Sequence, residues 1–262
     1  MSDEPASQPA TIDSQLASNA VHVDGLSYRW PNGEHALQDL SFSVRTGEAV
    51  GLVGPSGAGK STLLRHLNGL LPEKLPTSKA LVTINQQPVT NSNASAIRQI
   101  VGLLFQEPDD QLFCSQVAED VAFGPLNLGL SHDEVRQRVK ESLTAVGLLQ
   151  LANRSPMQLS LGERKRVCLA GLLACRPNVL ALDEPASSLD PRSRRQLLAI
   201  LKTFDGTIIV ASHDLDFVSR LCGRVIVLDS GKIHADGTTD EILTNPVLME
   251  KHGLEVPYRL RN

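Results

Sequence analysis

The stretch EAVGLVGPSGAGKSTLLRHLNGLL, residues 48–71, decides the fold of this chain. EAVGLV at its start is apolar and predicts a buried β-strand, whereas LLRHLNGLL at its end predicts a helix. Between them GPSGAGKST, residues 54–62, fits the pattern G-x-x-x-x-G-K-[ST] of a phosphate-binding loop, in the strand, loop and helix context that such a loop needs. The stretch therefore predicts an α/β fold with a site for a nucleoside triphosphate.

Each part of this loop has a chemical reason. Its glycines leave room for backbone N–H groups to curl around phosphate oxygens, and the following helix adds the positive end of its dipole. Lys60 is predicted to face the β and γ phosphates, Ser61 to place its hydroxyl on Mg²⁺, and Thr62 to offer a further donor. The residues expected to hold the phosphates are Gly54, Pro55, Ser56, Gly57, Ala58, Gly59, Lys60, Ser61 and Thr62.

Length and charge limit the classes of partner. The 262 residues are enough for one large α/β domain with a small appendage. The 25 Lys and Arg against 29 Asp and Glu leave a formal charge of −4, so we expect no contact with nucleic acid. No apolar run reaches the roughly 18 residues of a membrane span, and the four cysteines are scattered without a C-x-x-C pair. We therefore expect reduced thiols and no insertion into a membrane by the chain itself.

The residues before the loop predict a tail followed by strands. Residues 1–20 are rich in Ser, Ala, Pro and Gln and predict a disordered tail. From residue 20 to 53, short β-prone runs alternate with turn signals and predict antiparallel strands that lead into the loop, with residues 80–89 as a further strand. Tyr28 stands before the turn PNG, where its ring either stacks on a purine base or is an ordinary strand aromatic.

Polar side chains follow three later apolar runs. Gln106 follows IVGLLF, Asp183 and Glu184 follow NVLAL, and His213 follows TIIVAS. The carboxyl ends of parallel strands share one edge of a sheet, which is where α/β proteins bind ligands. Taken alone, the acidic pair also fits a solvated loop, and His213 also fits a structural histidine.

Helices are predicted between these strands. Ser131 with Glu134 and Ser160 with Glu163 both have capping-box spacing, and residues 116–159 predict a helical insertion between two halves of the α/β core. Residues 245–262 show little pattern and are expected to be a short C-terminal appendage.

Across residues 21–244 the motifs resemble the nucleotide-binding subunit of an ATP-binding cassette (ABC) transporter. In this sequence GPSGAGKST resembles the Walker A loop, Gln106 the Q-loop glutamine, LSLGE (159–163) the signature and VLALDEP (179–185) the Walker B strand. SSLD (187–190) resembles the D-loop and His213 the switch histidine. The resemblance implies the P-loop NTPase fold of ABC ATPases: a mixed sheet core, an antiparallel β subdomain and a helical subdomain at about residues 107–175.

The resemblance also implies a role for each residue in binding and hydrolysing ATP with Mg²⁺. Asp183, with Ser61 and Gln106, would hold Mg²⁺, and Glu184 would orient and deprotonate the attacking water. His213 would contact the γ-phosphate, and Tyr28 would stack on adenine. Together with Lys60, these residues would stabilise the charge that spreads over the transferring phosphoryl group.

The signature implies a second subunit, because in this family it serves the ATP of the opposite copy. Ser160 and the Gly162 backbone would face that γ-phosphate, so hydrolysis would need a homodimer or a heterodimer. The sequence departs from the family's LSGGQ at Leu161 and Glu163. These departures predict lower activity in the site that this signature completes. They favour the alternative of a nucleotide-dependent regulatory clamp with weak turnover, whereas the intact Glu184 and His213 argue against it.

A narrower resemblance lies in FQEPDDQLF (105–113), EDVAFGPLNLGL (119–130) and YRWPNGEHAL (28–37). These runs are similar to ATPases of cobalt or nickel importers and of energy-coupling factor importers for vitamins. Glu107, Asp109 and Asp110 would form a groove for Arg-bearing helices of an integral membrane subunit, or else a solvated acidic loop. The resemblance implies a peripheral subunit at the cytoplasmic face of the cell membrane that drives uptake of cobalt or nickel, with vitamin uptake as the alternative.

Overall fold

The computed structural model describes residues 19–72 and 80–260, where the chain forms two β-sheets and a set of helices. Residues 1–18 of the predicted tail lie outside the described residues. The first strand begins at Asn19, within the range predicted to be a tail. The strands are β1 (Asn19–Arg29), β2 (His35–Arg45), β3 (Ala49–Val53), β4 (Val82–Ile84), β5 (Gln87–Pro88), β6 (Val101–Leu104), β7 (Val179–Asp183), β8 (Thr207–Ala211), β9 (Arg224–Asp229) and β10 (Lys232–Thr238). The helices are α1 (Lys60–Leu67), α2 (Ala94–Ile100), α3 (Val117–Asn127), α4 (His132–Ala145), α5 (Leu161–Ala174), α6 (Pro191–Lys202), α7 (Leu215–Leu221), α8 (Thr239–Leu243) and α9 (Pro246–Lys251).

The larger sheet has six strands in the order β10-β9-β3-β8-β7-β6. The five strands from β9 to β6 are parallel to their neighbours, and β10 pairs antiparallel with β9. It is therefore a mixed sheet, and β3, which leads into the phosphate loop, lies at its centre between β8 and β9.

Both faces of this sheet are covered, because successive side chains of its strands enter two different cores. One face packs against the helices through Val53, Leu104, Leu180, Leu182, Ile208, Val210, Val225 and Val227. The other packs against the smaller sheet and α1 through Val50, Leu52, Val101, Leu103, Val179, Ala181, Ile209, Ala211, Ile226 and Leu228. This explains why the strands were recognisable as continuous apolar runs.

The smaller sheet is antiparallel, with the order β2-β1-β4-β5, and it corrects two predictions. EAVGLV does not continue the antiparallel strands, because β3 pairs in parallel with β8 and β9 in the larger sheet. Residues 80–89 join this sheet, as predicted, but as the hairpin of β4 and β5 rather than as one strand. Its two turn residues, Asn85 and Gln86, both have positive φ, as a tight hairpin turn requires.

The helical part contains α3, α4 and α5, which pack against one another and against the larger sheet. The predicted capping boxes are present at Ser131 and Ser160, and Gly147 follows the end of α4 with φ 69°. The fold predicted from the motifs is confirmed in these respects. Within residues 19–72 and 80–260, none of the helices combines the length and apolar character that a membrane crossing requires.

The C-terminal appendage has more structure than its sequence pattern indicates. Helix α9 lies against the core through Met249, which is buried, and Leu254 and Val256 pack beside it. These apolar residues have neither helical nor strand periodicity, so the pattern alone did not show that they are anchored.

Candidate functional site

The carboxyl edge of the larger sheet brings the predicted site residues together. The phosphate loop follows β3, Gln106 follows β6, Asp183 ends β7, and His213 lies two residues after β8. Since β7 lies between β6 and β8, and β8 lies beside β3, these residues share one edge. The arrangement matches the site expected from the apolar runs.

The phosphate loop is clamped between the two sheets. At Gly54, a Cβ atom would lie 1.8 Å from the backbone oxygen of Leu228 in β9. At Gly59, with φ 102°, it would lie 2.5 Å from the backbone oxygen of Ala36 in β2. Glycine is needed here because the loop backbone touches both sheets, in addition to any contact with phosphate.

Lys60 is buried at the first residue of α1. Its Nζ donates to the backbone oxygen of Gly54 at 2.7 Å and to that of Pro55 at 2.9 Å. Burial lowers the pKa of Lys60, while the nearby charges of Glu184 and Asp183 act in the opposite direction. The ammonium group is therefore held across the loop where phosphate oxygens are expected.

Asp183 and Ser61 supply oxygen ligands for a hard cation. The Asp183 Oδ1 atom is buried and has no hydrogen-bond partner among the described residues. Desolvation raises the pKa of Asp183, although its hydrogen bond with Ser61 lowers that pKa. A buried carboxylate oxygen without a partner, beside a hydroxyl group, fits a Mg²⁺ ligand, because Mg²⁺ prefers oxygen donors.

Glu184 is held firmly beside this acid. Its Oε1 atom accepts from the His213 backbone N–H at 3.0 Å and lies 2.8 Å from His213 Nδ1, and its Oε2 accepts from Ser212 Oγ at 3.1 Å. The backbone of Glu184 has φ 45°, a strained value for a residue with a side chain, and its N–H donates to the Ala211 oxygen at 2.8 Å. These contacts orient the carboxylate, as a general base requires.

Lys165, in α5, is a positioning residue that the sequence reasoning missed. It is 2% exposed, and its Nζ donates to the backbone oxygen of Glu184 at 3.0 Å and to Ser187 Oγ at 2.8 Å. A lysine among the charged residues of a helix start looks like a surface residue, so no sequence signal marked it. It ties the helix that begins with the signature to the backbone of Glu184.

A cavity of about 350 Å³ lies over the phosphate loop. Its walls are Trp30, Glu34, His35 and Ala36 on the side of the smaller sheet, residues 56–62 of the loop, and Gln106, Asp183 and Glu184. His213 lies on a neighbouring cavity of about 620 Å³ that also touches Gly54, Pro55 and Ser56. The predicted phosphate, metal and base residues are thus together.

Tyr28 is not among the residues that line the phosphate cavity. Its ring packs edge-on against His66, with centroids 4.8 Å apart, and against Trp30 at 5.1 Å. Trp30 instead follows β1, just before the turn, and contributes to the cavity wall. The base-stacking role predicted for Tyr28 therefore fits Trp30 better, since stacking needs a ring face at the cavity.

We expect Trp30→Ala to weaken ATP binding by about 10-fold or more, because stacking on an aromatic ring contributes roughly 1–3 kcal/mol per base. Isothermal titration of nucleotide into the variant measures this change. Tyr28→Phe is the control, since it keeps the ring that packs on His66. An unchanged dissociation constant for Trp30→Ala, together with weaker binding by Tyr28→Leu, would return the stacking role to Tyr28.

The signature lies outside the phosphate cavity, at the start of α5. Ser160 Oγ donates to Glu163 Oε2 at 2.8 Å, and the Ser160 backbone N–H donates to the same oxygen at 2.9 Å. These bonds lower the pKa of Glu163, so the acid that replaces the usual glutamine caps its own helix. A Cβ at Gly162 would lie 2.5 Å from Ser193 Oγ, so this glycine permits close packing on α6.

Comparison with known proteins agrees with the motifs described above. The family model described as ABC transporter matches residues 37–187, from β2 through the phosphate loop to the residues after Glu184. This chain belongs to the ABC transporter family. It is an ATP-binding subunit and an ATPase of the ABC type, as the motifs predicted.

Three similar proteins place the chain within the ABC transporter family. It is 43% identical to the energy-coupling factor transporter ATP-binding protein EcfA of Methanothermobacter thermautotrophicus, over 90% of this chain and 76% of that protein. The structure of cbiO1 from Clostridium perfringens, part of the ABC transporter complex cbiONQ, superposes with a TM-score of 0.78 at 34% identity, over 89% of this chain and 94% of that one. The dimeric post-hydrolysis structure of the ATP-binding cassette MJ0796 with ADP and Pi gives 0.73 at 27% identity, over 84% and 98%.

Proposed function

We propose that this ABC ATPase hydrolyses Mg-ATP as a dimer and drives uptake of a small solute through separate integral membrane subunits. The observation that carries the proposal is the site itself. An oriented Glu184 carboxylate, a buried Asp183 oxygen without a hydrogen-bond partner among the described residues, and the Lys60 ammonium converge on the phosphate loop. A carboxylate for water, oxygen ligands for a cation and a fixed positive charge are what phosphoryl transfer to water needs.

Ser61, Asp183 and Gln106 are the residues proposed to hold Mg²⁺, which supplies charge stabilisation when it is bound. The chain itself provides the other functions. The loop backbone and Lys60 hold the phosphates, and Glu184 accepts a proton from water at its carboxylate. His213, whose side chain is 68% exposed, is tied to Glu184 Oε1 and faces the neighbouring cavity beside the loop. We propose that it contacts the γ-phosphate and keeps Glu184 in position.

The dimer follows from where the signature lies. Ser160 is exposed and lies outside the phosphate cavity of its own chain, so it is available to a nucleotide held by another copy. The likeness to the dimeric cassette MJ0796 supports this arrangement. Whether the second subunit is identical or different, Glu163 brings a negative charge to that contact, and we propose slower turnover in the site that it completes.

The docking surface for the membrane subunits is proposed to be the acidic turn after Gln106 together with an adjoining aromatic pair. Asp109 and Asp110 lie in a short 3-10 turn, and Asp109 Oδ1 is 3.5 Å from Arg164 Nε, on the signature helix. Phe113 and Phe123 are 64% and 47% exposed, and their rings meet edge-on with centroids 4.8 Å apart. Exposed aromatic residues beside acids suit a partner helix that carries apolar and arginine side chains.

We expect Asp109→Lys with Asp110→Lys to reduce recovery of the membrane subunits at least 10-fold in a pull-down, since like charges would then face the partner's arginines. The matched control is Asp24→Lys with Asp205→Lys, which makes the same charge change at two exposed aspartates elsewhere. Circular dichroism checks that both proteins fold. Equal recovery by the two double variants would remove the docking surface.

The solute is proposed to be a cobalt or nickel ion, with a vitamin as the alternative. The likeness to cbiO1 supports the first and the likeness to EcfA supports the second, whereas the runs around Gln106 resemble both kinds of importer. Co-purification of the chain from its own membranes, identification of its partners by mass spectrometry and uptake measurements with labelled ions and vitamins would separate them. A pure chain that binds ATP but recovers no membrane protein would favour the regulatory clamp.

A further inference from the structure

Three metal-ligand side chains meet where β9, β10 and α9 come together, outside the phosphate cavity. Asp229 ends β9, His234 lies within β10, and His252 follows α9. One carboxylate oxygen and one ring nitrogen from each histidine lie within 4.8 Å of one another. The proposed ATP chemistry gives none of these residues a role, so the cluster needs its own explanation.

Contacts already join the three residues in pairs. His252 Nδ1 lies 2.9 Å from Asp229 Oδ2, and His234 Nε2 lies 3.3 Å from the Asp229 backbone oxygen. The two imidazole rings have centroids 4.4 Å apart. The side chains therefore face a common centre rather than three separate surroundings.

The strand is irregular at His234. Ile233 pairs with Leu228 and Ala235 pairs with Val227, so His234 is the extra residue of a β-bulge. Bulges redirect a side chain away from the regular alternation and are common beside functional sites. His234 is exposed, whereas His252 is 4% exposed, so the cluster has a fixed inner wall and an outer side that solvent reaches.

We propose that Asp229, His234 and His252 form a binding site for a divalent transition metal ion such as Zn²⁺, Ni²⁺ or Co²⁺. Two imidazoles and one carboxylate are donors that these ions prefer, whereas Mg²⁺ and Ca²⁺ prefer oxygen alone. Metal–ligand bonds of about 2.0–2.1 Å in a tetrahedral site hold the ligand atoms roughly 3.3 Å apart. The ligand atoms here lie within 4.8 Å of one another, and rotation of the exposed His234 can bring them closer. A fourth position stays open to water, and the site does not depend on which solute is transported.

The cluster is connected to the ATP site through the turn after β9. The Gly231 backbone N–H donates to the Ala58 oxygen in the phosphate loop at 3.1 Å, and Leu228 lies against Gly54. On the other side, residues 253–258, directly after His252, form a wall of the cavity that includes His213. A metal ion that links Asp229 to His252 therefore restrains both the turn and this wall.

The first test titrates Co²⁺ into the full-length chain, made without a polyhistidine tag and kept free of nucleotide. Visible absorption measures occupancy, and X-ray absorption at the cobalt edge counts imidazole ligands. We expect one ion per chain with two imidazoles. His234→Ala should weaken binding at least about 10-fold, while the exposed control His132→Ala should bind as the wild type does.

One further variant keeps the proposal open to contradiction. Asp229→Asn retains a hydrogen-bonding group beside the buried His252 but loses the anionic ligand, so it should fold and bind Co²⁺ more weakly. If cobalt binds instead to the oxygen ligands of the phosphate site or to His213, the absorption edge would show at most one imidazole. Its affinity would then be unaffected by His234→Ala. Either result, or no binding to the wild type, would overturn the site.

Hydrogen exchange tests the connection to the ATP site. Amides of residues 253–256 and of Tyr258 should exchange more slowly when Co²⁺ is added to the wild type, and not when it is added to His234→Ala. Equal exchange with and without bound metal would refute the restraint.

Discussion

Glu184→Gln is expected to lower ATP hydrolysis by about 10²–10⁴-fold, the usual contribution of a general base, while ATP stays bound. The amide has the shape of the carboxylate, and its oxygen can still accept from the His213 N–H. It cannot take a proton from water. Phosphate release by the purified complex measures the rate, and light scattering with Mg-ATP measures association, which should shift towards a closed dimer.

The matched control is Glu250→Gln, an exposed glutamate in α9. It should hydrolyse ATP at the wild-type rate. Wild-type turnover in Glu184→Gln would remove its role as base, and a preparation that remains monomeric with Mg-ATP would count against water activation within a dimer.

Lys60→Ala is expected to lower turnover by about 10²–10³-fold, as happens when one preorganised donor to a transition state is removed. The variant also loses the bonds from Nζ to the backbone oxygens of Gly54 and Pro55. Leaving buried acceptors without a partner costs about 1–3 kcal/mol, so thermal unfolding should be measured beside phosphate release.

Lys202→Ala is the matched control for Lys60→Ala. It removes an exposed lysine at the end of α6 and should change neither turnover nor stability. If Lys60→Ala is folded at the assay temperature and still hydrolyses ATP at the wild-type rate, the assignment of the phosphate loop is wrong.

The sequence predicted which residues lie together at the candidate site because these residues stand at strand ends. Gln106, Asp183 and His213 each follow a run of apolar residues, and such runs are strands that the structure buries on both faces. Once those strands were placed in one parallel sheet, their polar ends had to share an edge. The family motifs then supplied the roles.

The sequence did not reveal Trp30 and Lys165, because what these side chains contact depends on how distant elements pack together. Tyr28 and Trp30 lie two residues apart, and only the packing of Tyr28 on His66 shows which ring meets the cavity. Lys165, in α5, reaches partners 19 and 22 residues away, just after the end of β7. Neither contact follows a helical or strand periodicity that the sequence could reveal.

The metal-ligand cluster was missed for a related reason. Its ligands come from a strand end, a bulge and the residue after a short helix, with a spacing that resembles none of the recurring metal motifs. A bulge changes the direction of one side chain without changing the apolar pattern around it. The site could only be recognised once β10 and α9 were seen side by side.

The clamped phosphate loop has a consequence for affinity. A flexible loop that orders around a nucleotide loses conformational entropy at the moment of binding, roughly 1–2 kcal/mol for each backbone residue that is fixed. Here contacts of Gly54 with β9 and of Gly59 with β2 order the loop when the two sheets assemble. The entropy loss therefore occurs during folding rather than during binding. Almost all of the free energy of the phosphate contacts then contributes to nucleotide affinity.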